Sequence, residues 1–156
     1  MSTWQPDLAP LNDWIPRLFH LMKAVGDAAS ADLRVTGAMR GVMGSLASDG
    51  PRTAPDLARK RRVSRQRMQA ILNDLLGAGL ARRLANPSHR RSVLIELTDE
   101  GRRRLAEIRA RETAMLARTA PAVSAADLAA ALRLFDVLER EFGARLAEIG
   151  KVASAR

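Results

Sequence analysis

The sequence predicts a mainly α fold with one small β-hairpin, and three observations carry that expectation. Apolar residues recur at helical spacing through most of the chain, and the period shortens to that of strands only between residues 80 and 98. Ser or Thr stands at the N-cap position before one helical stretch after another. With 156 residues, 47% of them apolar, the chain has material for one ordinary domain, or for a small domain with an appended helical element.

Each element follows from local chemistry. Residues 1–10 hold two prolines and no periodicity and read as an N-terminal arm. From there Leu11, Trp14, Ile15, Leu18, Met22 and Val25 predict a helix to about Ala31, with Asp13 as its N-cap and Pro16 in the first turn, where a missing N–H costs little. Thr36 caps a second helix with the stripe Met39, Val42, Met43 and Leu46, ended by Asp49-Gly50-Pro51. Thr53-Ala-Pro-Asp56 is a capping box that opens a short helix to about Lys60. Ser64 caps the next helix, which buries Met68, Ile71, Leu72 and Leu75 and ends at Gly77 or Gly79. Residues 80–84 and 92–98 then read as two strands around the turn-forming, basic stretch Ala85-Asn-Pro-Ser-His-Arg-Arg91. Thr98 caps a long helix carrying Leu105, Ile108, Met115 and Leu116. Pro121 followed by Ser124-Ala-Ala-Asp127 ends it and starts a last helix, with Leu128, Leu132, Phe135, Leu138, Phe142, Leu146 and Ile149 in one stripe.

Charge is concentrated rather than spread. The net charge is +9, and residues 59–91 alone hold ten basic side chains against one acid, Asp74, which leaves sixteen of each sign elsewhere. A face of one sign with so few interspersed acids points to a polyanion. Aromatic residues are 3% of the chain and tyrosine is absent, so bases stacked on rings are not the mode of contact. Arginines and amides must carry it.

Other classes find no residues to support them. Without cysteine there is no disulfide, thiolate nucleophile or thiol redox switch. His20 and His89 stand on separate elements without ligand spacing, so no metal site, catalytic group or cofactor is implied. No apolar run approaches the roughly 18 residues needed to span a bilayer, and the start, Met1-Ser-Thr-Trp-Gln-Pro6, carries no secretion signal. Cytoplasmic placement without membrane association is expected.

A short helix, a tight turn, a second helix and a basic hairpin form a winged helix-turn-helix, whose second helix enters the major groove. At 100° per residue from Met68, the core stripe of residues 65–77 centres near 350°, while Gln66, Gln69, Ala70 and Asn73 fall at about 100–200°. Amides pair bidentately with adenine, and alanine leaves room for a thymine methyl. Arg65 and Arg67 flank that face and Ser64 opens the helix, where phosphate is favoured.

These stretches resemble the MarR family of winged-helix regulators over about residues 11–150. Asp56-Leu-Ala58 with Val63-Ser-Arg-Gln66 is similar to the family's helix-turn-helix, and Leu75 through Arg82 to the end of its recognition helix. Asn86-Pro-Ser-His-Arg-Arg-Ser92 with Leu97-Thr-Asp-Glu-Gly-Arg102 is similar to its wing and the helix that follows. The resemblance implies that Arg91 enters the minor groove beside Arg90. His89 stands where the family usually has an acid that restrains the arginine, and its role is open.

The same resemblance, together with the long apolar stripes, implies a dimerisation helix at 11–32, a DNA-binding lobe at 33–98, C-terminal dimerisation helices at 99–150 and a tail at 151–156. The expected partners are a second copy of the chain and double-stranded DNA with a palindromic operator. A small lipophilic or anionic effector is expected to release a repressor, with Leu18, Met22, Met39 and Met43 as crevice wall and Arg17 or His20 as polar anchor. The alternative is a basic protein that binds DNA or RNA without sequence preference. Its mark would be steep salt dependence with little discrimination among duplexes.

Overall fold

The computed structural model describes residues 7–87 and 92–154. Contacts divide the chain into two units, one up to Thr113 and one from Ala114 onward. The first holds α1 (Leu11–Ser30), a 3-10 turn (Ala31–Leu33), α2 (Gly37–Asp49), β1 (Arg52–Thr53), α3 (Ala54–Arg61), α4 (Arg65–Gly77), β2 (Ala81–Ala85) and β3 (Val93–Leu97). The division falls within α5 (Asp99–Thr119), and the second unit continues through a 3-10 turn (Ala120–Ala122) to α6 (Ala125–Ser154). The fold is mainly α with a small antiparallel sheet, as the periodicity predicts. The first unit contains both the expected dimerisation helix at 11–32 and the expected lobe at 33–98.

The caps are where the sequence puts them. Thr36 Oγ1 accepts from the Met39 N–H, Thr53 Oγ1 from Asp56, Ser64 Oγ from Arg67, Thr98 Oγ1 from Gly101 and Ser124 Oγ from Asp127, at 3.1–3.3 Å. Each satisfies one backbone donor that the first helical turn leaves free, worth about 1 kcal/mol. The start of α1 is a correction. The helix begins at Leu11 behind Pro10 with no side-chain cap, so Asp13 lies in the first turn and Pro16 inside the helix. Here the chain enters from a turn in which the Leu11 and Asn12 N–H groups bond to the Leu8 and Ala9 carbonyls, and that turn does the work of the cap.

The sheet is a second correction. The expected hairpin, β2 with β3 in the register Ala81 to Leu97 and Ala85 to Val93, gains a third strand: β1 pairs Arg52 with Ile95 and Thr53 with Leu94, giving the order β1-β3-β2. Two residues after a proline cannot show an alternation, so β1 exists only because β3 offers an open edge.

One core holds the first unit together. Val35, Met39, Val42, Met43 and Leu46 meet Leu57 of α3, Met68, Ile71, Leu72 and Leu75 of α4, Leu80, Ile95 and Leu97 of the sheet region, and Leu105 and Ile108 of α5. Each such side chain contributes roughly 1.5–3 kcal/mol by leaving water. Around it, arginines hold α5 to the corner between α1 and α2. Arg111 pairs with Asp32 and donates to the Ala29 carbonyl, Arg104 donates to the Leu33 carbonyl, and Arg40 pairs with Glu112. Arg111 holds the Asp32 carboxyl below the usual carboxylate range.

The α4–β2 connection is fixed as tightly. Gly79 takes a left-handed conformation at φ 68°, which lets its carbonyl accept from Thr98 Oγ1 at 2.7 Å. The Leu80 carbonyl accepts the Thr98 N–H at 3.1 Å, and Gly101 at the start of α5 passes so close to it that a Cβ would collide with the Leu80 oxygen.

Candidate nucleic-acid interface

The helix-turn-helix is α3, a three-residue turn and α4. Arg62 makes the turn in the left-handed region at φ 53°, its N–H bonding back to Arg59, while the Val63 N–H bonds to the Ala58 carbonyl. Ser64 then starts α4, with the Met68 N–H on its carbonyl at 3.0 Å. Because Met68, Ile71, Leu72 and Leu75 face the core, the rotation of α4 is set by burial, and Ser64, Arg65, Gln66, Arg67, Gln69, Ala70 and Asn73 are all exposed. The structure therefore brings these seven sequence-predicted residues onto one helix, on the faces turned away from the core. Gln69 Nε2 donates to Asn73 Oδ1 at 3.0 Å across one helical turn.

His89, Arg90 and Arg91 lie outside the described residues. On either side of them in sequence, Asn86 Nδ2 donates to Ser92 Oγ at 2.7 Å, joining the end of β2 to the start of β3.

The basic segment is less free than its composition implies. Lys60 pairs with Asp49 at 2.6 Å, Arg82 with Glu96 at 2.5 Å, and Arg59 with Asp56. All three acids lie outside residues 59–91, so a count over that window misses them. Lys60 in turn draws the Asp49 carboxyl below the usual range. Arg61 is exposed but lies against α2, over Gly41. Arg61, Arg62, Arg65, Arg67 and Arg83 make no hydrogen bond or ion pair with the described residues. They are the cations left for an external anion.

The residues expected to form an effector crevice fall into two settings. Met39 and Met43 are buried in the core, whereas Arg17, Leu18, His20 and Met22 are exposed on α1. None of the six lines the cleft of about 630 Å3 that the first unit does contain. That cleft lies between the end of α1, the start of α2 and α4, with Val35, Ala38 and Ile71 as apolar wall and Asp27, Arg34, Arg67 and Asp74 as charged rim. Asp27 is bonded to Lys23, which lowers its pKa, and its Oδ1 is buried without a hydrogen-bond partner among the described residues. Nothing in a periodicity reading reports a cleft made by three separated segments.

Comparison with known proteins gives consistent relationships. A sequence model of the MarR family matches residues 35–92. A crystal structure of a MarR family transcription regulator is 30% identical, superposes with a TM-score of 0.81, and is covered over 93% of its length by 90% of this chain. A mutant MarR from Escherichia coli complexed with operator DNA shares the fold at 21% identity and a TM-score of 0.74, over 85% of this chain and 99% of that one. A MarR family protein from Bacillus stearothermophilus does so at 18% identity and 0.77, over 91% and 99%. Among curated sequences, uncharacterised proteins of Mycobacterium tuberculosis and Mycobacterium bovis are 44% identical over 86 residues, 55% of this chain. The chain spans 60% of the length of those curated relatives.

Proposed function

This chain belongs to the MarR family of transcription regulators, and from that premise we propose that it is a homodimeric, sequence-specific DNA-binding repressor. Its family and fold are those of transcription regulators rather than of enzymes. The observation that carries the reading is α4, whose outward face combines uncharged amides, Gln66, Gln69 and Asn73, with the unpaired cations Arg65 and Arg67. Amides discriminate base edges and arginines hold phosphates, so one helix supplies both specificity and register. A protein of the same fold has been solved with operator DNA. In this reading Arg62, Arg83 and Arg90 add backbone contacts, Arg91 enters the minor groove, and His89 belongs to the same basic segment.

The dimer is supported by unpartnered apolar faces. Trp14, Ile15, Leu18, Phe19, Leu21, Met22 and Val25 of α1 are exposed, Trp14 at 61% and Phe19 at 62%, and they share an arc of about 160°. On α6, Leu128, Leu132, Phe135, Phe142, Leu146 and Ile149 are exposed within an arc of about 100°. Stripes of that length mark partner surfaces, and a second copy of the chain is the occupant that a closed two-fold assembly supplies. The operator is then an imperfect palindrome with half-sites about one helical turn apart.

Release by a small molecule is supported by the cleft beside α4. Its volume is in the range of drug-sized ligand sites, with Val35, Ala38 and Ile71 as apolar wall and charged groups at the rim. Arg67 and Ala70 line it, so an occupant competes with DNA for part of the same helix.

Selection of bound duplexes from a random pool tests the proposal. A palindromic site, bound at least a thousandfold more tightly than unrelated duplexes at physiological salt, is the expected result. A flat pool with a steep salt slope would instead establish a non-specific polyanion binder.

A further inference from the structure

Resting on the DNA-binding reading of α4, we propose that Gln69 and Asn73 form one base-reading unit, in which Asn73 is a positioning residue that fixes the Gln69 amide on an adenine. Spacing alone presents them as two separate readers, four residues apart on the exposed face. The structure joins them: Gln69 Nε2 donates to Asn73 Oδ1 at 3.0 Å.

The consequence follows from donor and acceptor counts. A glutamine amide nitrogen carries two hydrogens and its oxygen two lone pairs. The bond to Asn73 takes one hydrogen and leaves Gln69 with Oε1 and a second N–H, the acceptor–donor pair that matches N6 and N7 of adenine. An isolated exposed glutamine samples many rotamers and must surrender them on binding, whereas one already held by its neighbour gives up fewer. With one Oδ1 lone pair taken by Gln69, the Asn73 amide is tied to its neighbour and keeps only the second lone pair beside its donors. It is thereby less fitted to read adenine for itself. Gln66, one turn earlier, makes no hydrogen bond to the described residues and is an independent reader. Two base-reading positions on α4, not three, is the resulting expectation.

A double-mutant cycle on the full chain tests this. Wild type, Gln69→Ala, Asn73→Ala and the double variant are measured by fluorescence anisotropy at fixed salt against the selected duplex and duplexes carrying each single base-pair change in the half-site. Gln69→Ala and Asn73→Ala should both flatten the preference at the same base pair, by roughly ten- to a hundredfold. The double variant should flatten it no further than the stronger single one. Asn73→Asp keeps the acceptor, so it should retain that preference while binding every duplex more weakly through charge repulsion. Loss of preference at two different base pairs with multiplicative effects would overturn the proposal, as would an Asn73→Ala variant whose ratios all match wild type. In either case wild type still discriminates among duplexes; a wild type that does not discriminates against the DNA reading itself, and the present inference falls with it.

Discussion

Replacing Gly101 by alanine should destabilise the protein although alanine is the better helix former. At this position, near the start of α5, the propensity gain is at most about 1 kcal/mol. Against it stands the close approach: the new Cβ would overlap the Leu80 carbonyl oxygen, and would lie 3.0 Å from the carbonyl carbon and 3.3 Å from Leu97 Cδ2. Leu80 cannot retreat cheaply, because its side chain is fully buried, its N–H donates to the Leu75 carbonyl at 2.9 Å and its own carbonyl accepts from Thr98. Overpacking of a fixed backbone costs about 1–3 kcal/mol, and a disturbed buried hydrogen bond adds about 1 kcal/mol or more. The net loss is then about 1–3 kcal/mol, which for a chain of this length lowers Tm by roughly 2–12 °C. Gly77→Ala is the control, since its Cβ would meet nothing within 4 Å and its φ is not positive. That change should leave Tm unchanged or raise it by a few degrees. Thermal unfolding followed by circular dichroism at one fixed chain concentration compares the three proteins. If Gly101→Ala melts within 1 °C of wild type, the close-approach reasoning is wrong.

Arg62→Gly should leave stability equal or up to about 1 kcal/mol higher, since it relieves a left-handed non-glycine residue, yet weaken DNA binding and make its salt dependence shallower by about one ion; unchanged salt dependence would remove Arg62 from the interface. Arg83→Ala should shift the salt slope in the same way, whereas Arg82→Ala should shift it less because Arg82 already pairs with Glu96. Phe142→Asp, on the exposed stripe of α6, should shift light scattering from dimer toward monomer at micromolar concentration. Asp32 and Glu100 are held below their usual pKa by hydrogen bonds from Arg111 and from Arg103 and Arg104 respectively. Depressed carboxylates stabilise the fold above about pH 4 and lose that contribution as pH falls through their folded values. Asp32→Asn should therefore lower Tm at pH 7 and flatten the fall of Tm in the acid range; an acid-range profile identical to wild type counts against the Arg111 contact.

The parts of the fold legible in sequence are those whose partners lie within a turn or two. Thr36, Thr53, Ser64, Thr98 and Ser124 each bond a backbone N–H three residues on, so a residue type at a known offset is a sufficient signal. The outward face of α4 is legible for the same reason, because four buried residues at helical spacing leave only one rotation of the helix. Where a partner comes from elsewhere in the chain, that reasoning stops. Asp13 has the chemistry of a cap, but the turn at residues 8–12 starts α1 three residues earlier, with Pro10 at the N-cap. The methionines of α2 fit a pocket wall as well as a core by type alone, and only their neighbours on α4 and α5 place Met39 and Met43 in the core.

By itself, then, the sequence determined the order and caps of the helices, the core stripe of α4, the amide face opposite it and the clustering of positive charge. All of these arise from interactions a few residues long or from composition. Tertiary structure decided that Arg52 and Thr53 form a strand against β3, that Asp49 and Glu96 neutralise Lys60 and Arg82, that α1, α2 and α4 leave a cleft, and that Gly101 meets Leu80. These depend on which distant segments the buried core brings side by side, and a one-dimensional period of 2 or 3.6 residues records which face of an element is apolar but not which other element will cover it.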